Sequence, residues 1–284
     1  MYTAVELIAQ NTALPLAEIC ETLDVSHSAY YAWIGASPST REEKDMFLMP
    51  IIRKIFYRHK RRYGARRIVE ELGDLGHVCG VRRASKLLKI QGLKAIQPKS
   101  FKPRTTESKH TLGYSPNRLL EAEEPERTNQ LWVGDITYVP IRGKQFLYLA
   151  LLMDRYSRRI VGWQLASDMT ESLVIAALRQ AIEQRQPTAA LIHHTDRGGQ
   201  YAGKRYRAML RRADMQQSMS RAGDCYDNAF MESCFGTIKM ELEMTEYESE
   251  QTASQEIRAF IAYYNTQRKH SSIGYLAPSQ FEAI

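Results

Sequence analysis

Three strand-like segments follow one another in the second half of the chain, and they constrain the fold more than any other feature. Residues 131–141 (LWVGDITYVPI) are rich in aromatic and β-branched side chains, residues 146–153 (FLYLALLM) are continuously apolar, and residues 160–166 (IVGWQLA) form a third short run. Such runs predict three consecutive β-strands. A chain that continues from them into helices predicts a mixed sheet with helices on its faces, an α/β architecture.

Beyond residue 170, helical and strand-like spacing alternate. The pattern predicts a helix at 171–185, a buried strand at 190–195, a helix at 204–214, a strand at 215–219 and further helices at 228–242 and 250–264. The last of these helices is followed by a tail without periodic apolar residues, which predicts irregular structure.

The N-terminal part of the chain has helical spacing instead. Residues 14–34 predict two short helices joined by a tight turn, with Ser26 placed to cap the second helix. This pattern suits a helix-turn-helix whose second helix would enter a DNA groove, and it also suits any small helical bundle. Residues 35–40 indicate a linker, and residues 41–93 predict a second helical unit of similar kind.

The basic charge of the protein is concentrated in one region. The net charge is +7, but residues 53–110 carry 17 Lys and Arg against 4 acids, whereas residues 1–52 sum to −5 and residues 111–284 to −1. A patch of this kind is expected where a surface neutralises DNA phosphates, and a solvated helical surface is the alternative. The arginines that we predict to contact DNA are Arg66, Arg67, Arg82 and Arg83.

Composition excludes several classes of protein. Hydrophobic residues make up 44% and charged residues 25%, which is typical of a globular protein. The longest apolar run is too short to span a bilayer and the N-terminus lacks a signal-peptide pattern, so we expect a cytoplasmic protein without a membrane partner. The four cysteines include no CxxC pair, which predicts reduced thiols and neither a zinc site nor a disulfide framework.

Carboxylates are the ligands that Mg²⁺ prefers, so we searched for acids that could act in metal-assisted phosphoryl transfer. A familiar signature is an Asp followed by a Glu after 35 intervening residues. Three pairs have this spacing, namely Asp135 with Glu171, Asp196 with Glu232 and Asp214 with Glu250. Spacing alone therefore selects none of them. Glu171 and Asp214 lie near predicted helix ends, and Glu250 lies in a polar stretch, which favours ordinary roles for them.

Local chemistry favours three acids. Asp135 lies within a predicted strand on the face shared by Val133 and Val139, where a carboxylate is costly unless it binds a cation. Asp196 ends a buried strand and is followed by a turn. Glu232 lies on a predicted helix beside its apolar stripe. From these residues alone, both a metal site and buried structural salt bridges remain open.

Several motifs together resemble the insertion sequence-three family of bacterial transposases, which are related to retroviral integrases. The motifs are residues 132–138 (WVGDITY), 193–201 (HHTDRGGQY), 227–233 (DNAFMES) with Lys239, 263–275 (YYNTQRKHSSIGY) and 63–68 (YGARRI). The resemblance covers nearly the whole chain. Lys269 stands where the family often has Pro, and Gly199 where a Ser is common.

The resemblance implies a ribonuclease-H-like catalytic core with Asp135, Asp196 and Glu232 as a triad that binds two Mg²⁺ ions, for which Mn²⁺ would substitute. It implies cleavage of one strand at each end of the element, followed by attack of the freed 3′ hydroxyl on target DNA. Lys239 would contact a phosphate near the scissile bond. Asn228 would either orient the site or cap its helix.

The resemblance also implies an organisation and a set of partners. We expect a helix-turn-helix at 1–40, a basic helical DNA-binding domain at 41–93, a linker at 94–126, the catalytic core at 127–245 and a C-terminal helix and tail at 246–284. The DNA partners would be the terminal inverted repeats and the target, bound by at least a dimer. The family often joins this reading frame to an upstream frame, whose product is a further candidate partner.

Three other interpretations were compared with this one. A DNA-binding repressor or domesticated transposase would keep the basic region without cutting. A tyrosine recombinase would use residues such as Arg268, His270 and Tyr275, but these are crowded into eight positions. A transition-metal site at His193 and His194 is disfavoured because neighbours on a strand point to opposite faces.

Overall fold

The computed structural model describes residues 1–97, 113–120, 122–143, 146–187, 190–221, 229–243 and 246–284. The helices ahead of the sheet are α1 (Tyr2–Asn11), α2 (Leu16–Thr22), α3 (His27–Ile34), α4 (Thr40–Arg58), α5 (Ala65–Asp74) and α6 (Val81–Ile90). The strands are β1 (Leu131–Val139), β2 (Leu147–Asp154), β3 (Ile160–Ala166), β4 (Ile192–Thr195) and β5 (Gln216–Met219). The other helices are α7 (Glu171–Arg185), α8 (Gly199–Ala202), α9 (Lys204–Arg212), α10 (Ala229–Glu241), α11 (Glu250–Thr266) and α12 (Pro278–Phe281). None of the described helices combines the length and the apolar character that a membrane crossing requires.

The first three helices form a small unit around their own core. Its fully buried side chains are Val5, Ile19, Cys20 and Tyr30. The predicted cap is confirmed, because Ser26 Oγ accepts a hydrogen bond from Ala29 N at 3.4 Å at the start of α3. The sequence analysis missed α1, which contributes Val5 to this core.

Helices α4 to α6 pack around a second core. Ser39 and Glu42 form a capping box at the start of α4, which satisfies backbone donors that the helix itself leaves unpaired. Buried side chains on one face of each helix meet in the centre, among them Ile52, Ile68 and Leu87. Most of the basic residues of this unit, among them Lys54, Arg66 and Arg82, are exposed. This unit therefore presents cations to solvent on a three-helix support.

The sheet is mixed, as predicted, with the strand order β3-β2-β1-β4-β5. Strands β1, β2 and β3 are antiparallel neighbours, while β4 is parallel to β1 and β5 is parallel to β4. Helices α7 and α9 pack on one face of the sheet, against Trp132 and Leu152. Helices α10 and α11 pack on the other face, against Val133 and Leu149. The central strand β1 is consequently covered on both sides.

The C-terminal segment belongs to the core of the sheet. Ile257, Phe260 and Tyr264 of α11 share one hydrophobic cluster with β1, β2 and α10, so the boundary predicted at residue 245 does not separate two cores. The tail after α11 is mostly irregular, as expected, apart from a 3-10 turn and the short helix α12, and it buries Arg268 and His270. About half of the predicted linker, residues 98–112 and 121, lies outside the described residues, while Pro116 O accepts a hydrogen bond from Met219 N of β5.

Gly162 of β3 allows α7 to pack directly on the sheet. A Cβ at this position would lie 2.8 Å from Ala181 Cβ and would also meet the Ala177 carbonyl oxygen. We predict that Gly162→Ala lowers the free energy of unfolding by about 1–3 kcal/mol because the helix must move away from the sheet. Urea denaturation followed by circular dichroism measures this. Gly73→Ala, where a Cβ would meet nothing within 4 Å, is the control and should not destabilise.

Candidate active site

The pairing of β1 with β4 brings two of the predicted acids side by side. The parallel register joins Leu131 with Ile192 and Val133 with His194. Continued by two residues, the same offset aligns Asp135 with Asp196. Asp135 shares the strand face of Val133, which α10 covers, whereas Asp196 lies just beyond the end of β4 and is close enough for its charge to raise the pKa of Asp135.

Asp135 lies in an environment that opposes its negative charge. The residue is half-buried in β1, and its Oδ1 accepts a hydrogen bond from Ile136 N at 2.8 Å. Burial, followed by the charges of Asp196 and Glu232, holds the pKa of Asp135 well above its ordinary value, while the hydrogen bond and the Lys239 charge act in the opposite direction. The three predicted acids are therefore close enough to interact electrostatically.

Asp196 is positioned by the turn that follows β4. Its Oδ1 accepts a hydrogen bond from Gly198 N at 2.9 Å. A Cβ on Gly198 would lie 3.0 Å from the same oxygen, so the absence of a side chain there leaves room for the carboxylate. The neighbouring Arg197 donates from Nε to Ser220 O at 2.7 Å, which ties the turn to the end of β5.

Helix α10 carries the third acid. Met231, Cys234 and Ile238 are buried against the sheet, which fixes the orientation of the helix. Glu232 is exposed and Lys239 is half-buried. Since seven residues correspond to two turns, these two side chains lie on nearly the same face. Burial lowers the pKa of Lys239, and the Asp135 charge partly offsets this effect. Asn228 lies outside the described residues.

The residues present suit a divalent cation. Among the described residues, no three Asp, Glu, His or Cys side chains are grouped closely enough to hold a metal ion as they stand. Asp196 and Glu232 nevertheless bring negative charge close to the half-buried Asp135, and this charge contributes to the rise in its pKa. A hard cation would offset this repulsion, and carboxylate oxygens are the ligands that Mg²⁺ and Mn²⁺ prefer.

The rival acid pairs have structural roles. Glu171 Oε1 accepts hydrogen bonds from Arg205 N and Tyr206 N, each at 2.9 Å, and so caps the start of α9. Asp214 follows the end of α9 with a φ of 52°, and Glu250 is the first residue of α11. These positions account for the three acids without catalysis.

The adjacent histidines of β4 have separate partners. His193 Nε2 lies 2.6 Å from Tyr206 Oη, whereas His194 contacts Ser218 Oγ at 2.8 Å and Ser220 Oγ at 3.0 Å. Both rings are fully buried. The prediction that they do not share one metal ion is consistent with this arrangement, and both serve packing and hydrogen bonding.

The four arginines predicted to contact DNA fall into two groups. Arg66 and Arg82 are exposed on α5 and α6. Arg67 instead pairs with Glu241 at 3.3 Å, and Arg83 Nε donates to Asp45 Oδ1 at 2.6 Å. Residues 1–40 contain no Lys or Arg, so phosphate contacts in the N-terminal part are best served by α4 to α6.

Sequence reasoning missed a cluster in the tail. Arg268, Lys269 and His270 are at most 7% exposed. Arg268 is engaged by Glu241, with 2.7 Å between its Nη2 and Glu241 Oε1. The buried pairing of Arg268 removes it from any recombinase site with Tyr275. Periodicity could not reveal this cluster, because its partners are more than twenty residues away along the chain.

The fold and the family matches together define the class of protein. Two families described as Integrase core domain match residues 125–225 and 213–278, and a family described as HTH-like domain matches residues 42–101. Together with the sheet order, these matches identify a ribonuclease-H-like, DDE-type transposase or integrase preceded by a helix-turn-helix region, as predicted. Such an enzyme depends on divalent metal ions and binds DNA.

Curated relatives place the chain within that class. It is 39% identical to the insertion element IS600 uncharacterized 31 kDa protein of Shigella sonnei, over 93% of this chain and 97% of the relative. It is 39% identical to the transposase for insertion sequence element IS904 of Lactococcus lactis (86% and 97%) and 36% identical to the transposase InsF for insertion sequence IS3A of Escherichia coli (93% and 92%). The chain belongs to the insertion sequence-three (IS3) family of transposases.

Solved structures are more distant. The catalytic core domain of HTLV-2 integrase in complex with magnesium matches 56% of this chain and 99% of its own, with 15% identity and a TM-score of 0.44. A simian T-cell lymphotropic virus intasome structure matches 76% of this chain and 70% of its own, with 14% identity and a TM-score of 0.47.

The burial of His193 predicts a dependence of stability on pH. Burial lowers its pKa to about 3, whereas the unfolded chain would protonate near the ordinary value of 6.5. The neutral, buried His193 therefore contributes fully to the free energy of unfolding above pH 6.5. This contribution declines by roughly 1 kcal/mol per pH unit as the pH falls towards 3. Urea denaturation at pH 7.0 and 4.5 measures this dependence. Between these two pH values, the free energy of unfolding of His193→Gln should fall by about 2 kcal/mol less than that of the wild type. Equal losses would contradict the prediction.

Proposed function

We propose that Asp135, Asp196 and Glu232 form the catalytic triad of this transposase and hold two divalent ions, Mg²⁺ or in its place Mn²⁺. The observation that carries the proposal is the half-buried Asp135 carboxylate in β1, whose pKa is raised by both other acids. The alignment of Asp135 with Asp196 across β1 and β4 supports it as well. A structural salt bridge at Asp135 is disfavoured, because the charges that act on it are mainly negative.

The proposed reaction is cleavage of one strand at each end of the element by water, followed by attack of the freed 3′ hydroxyl on target DNA. The bound ions would activate the attacking oxygen and stabilise the leaving oxygen. The chain itself would fix the carboxylates, since the Ile136 and Gly198 amides hold Asp135 and Asp196. No protein nucleophile is needed, so no covalent protein intermediate would form.

We further propose how the protein engages DNA. Lys239, half-buried on the face of Glu232, would contact a phosphate near the scissile bond, and Asn228 precedes the same helix. The exposed Arg66 and Arg82 would contact the terminal inverted repeats. Joining two element ends to a target requires at least a dimer. The product of an upstream reading frame is a further candidate partner, and action on the chromosome would place the protein in the cytoplasm at the nucleoid.

The triad is tested by isosteric variants of each acid. We predict that Asp135→Asn, Asp196→Asn and Glu232→Gln each reduce cleavage and strand transfer of element-end DNA to the level seen with EDTA, because each loses a metal-binding charge. Binding in a mobility-shift assay should remain. Asp168→Asn and Glu183→Gln, on exposed surfaces, are matched controls. A triad variant that still cleaves would remove that residue from the site.

The role of Lys239 is tested by salt dependence. Loss of one phosphate contact should weaken binding and reduce the slope of log affinity against log salt by about one. We therefore predict both effects for Lys239→Ala, measured with a duplex that spans the cleavage position. Lys204→Ala removes an exposed lysine from α9, on the opposite face of the sheet, and serves as the control. An unchanged slope for Lys239→Ala would exclude the phosphate contact.

A further inference from the structure

Glu241, the last residue of α10, is the centre of a buried ion cluster. Its side chain is 0% exposed. Arg268 donates from Nε and Nη2 to Glu241 Oε1 at 2.9 and 2.7 Å, and Arg67 Nη1 lies 3.3 Å from the same oxygen. The cluster thus joins three parts of the molecule, namely α5 of the basic unit, the helix that carries Glu232, and the C-terminal tail.

Further contacts surround this cluster. Arg62 Nε donates to the Glu241 carbonyl oxygen at 3.0 Å, and its guanidinium lies over the rings of Phe260 and Tyr263. Because the Glu241 carbonyl is among the last of α10, this bond satisfies an acceptor that the helix leaves unpaired. The α4–α6 unit therefore holds the end of α10 by both its side chain and its backbone.

Tyr63 and Lys269 add further polar contacts to the same interface. Tyr63 is fully buried, donates from its hydroxyl to Gln267 O at 3.3 Å and accepts from Lys269 N at 2.8 Å. Lys269 Nζ pairs with Asp74 Oδ2 at 2.6 Å. Lys269, which stands where the family often has Pro, therefore makes contacts that join the two units.

Burial of charges in such a cluster is costly, and its directional hydrogen bonds define one geometry. The end of α10 lies roughly 14 Å from Glu232 along a rigid helix, so a displacement at Glu241 moves Glu232 and Lys239 as well. We propose that Glu241, Arg67 and Arg268 are positioning residues that fix the catalytic helix and couple it to the DNA-binding unit. This inference rests on the proposed function of Glu232.

Two adjacent arginines allow a direct test with the full-length protein. Arg67 faces Glu241, whereas its neighbour Arg66 is exposed. Arg67→Gln should leave the dissociation constant for terminal-repeat DNA near the wild-type value and lower the single-turnover cleavage rate at saturating DNA by about tenfold to a hundredfold. Arg66→Gln should show the opposite result. Its dissociation constant for DNA should rise, and its loss of cleavage should disappear at saturating DNA.

Milder variants distinguish a positioning role from a general loss of folding. Arg67→Lys keeps a positive charge towards Glu241 and should restore part of the rate lost in Arg67→Gln. Tyr63→Phe keeps the buried ring but loses the two hydrogen bonds of its hydroxyl, and should lower the saturating rate with unchanged affinity. Circular dichroism and thermal unfolding identify variants that are folded at the assay temperature, and rates are compared among those.

The outcomes separate this inference from the proposed function. If Arg67→Gln weakens binding as Arg66→Gln does, and keeps the wild-type rate at saturation, Arg67 is a DNA contact and the positioning role is overturned. The triad would be unaffected by that result. If Asp135→Asn or Glu232→Gln still cleaves, the proposed function fails instead, whatever Arg67→Gln does.

Discussion

The parallel pairing of β1 with β4 is the interaction on which the site depends. It brings the segment that ends in Asp196 alongside β1, close enough that burial and the charge of Asp196 both act on the Asp135 carboxyl group. Such an arrangement weakens a fold unless a cation is bound. The sheet therefore accepts a cost in stability at Asp135, while the Ile136 and Gly198 amides donate hydrogen bonds to Asp135 and Asp196.

Helix α10 links this pair to the rest of the molecule. Its apolar side packs on the sheet through Met231 and Ile238, and its polar side carries Glu232 and Lys239 towards Asp135. Its end is held at Glu241 by the basic helical unit and by the tail. One helix thus takes part in the core, in the candidate site and in the contact between the two units. The basic helical unit and the helix that carries Glu232 are in this way parts of one connected structure.

Much of this could be predicted from local pattern. The bounds of β3 and α7 agree with their apolar periodicity, and Ser26 was recognisable as a cap because capping depends on neighbours in sequence. The same kind of local argument selected Asp135, Asp196 and Glu232 as the acids of the proposed triad. Arg67 was not, because its partner is 174 residues away. Lys269 and the buried tail were missed for the same reason.

Residue order was sufficient for most of the strands and helices, for the basic region and for the family, and it selected the three acids of the proposed triad, because periodicity, capping and motif chemistry are local properties. Which acids interact electrostatically, which arginines are exposed and which face Glu241, and how the tail is buried were settled by packing. Those features depend on register between distant strands and on the pairing of charges that meet only after the sheet has formed, and neither is written in the spacing of neighbouring residues.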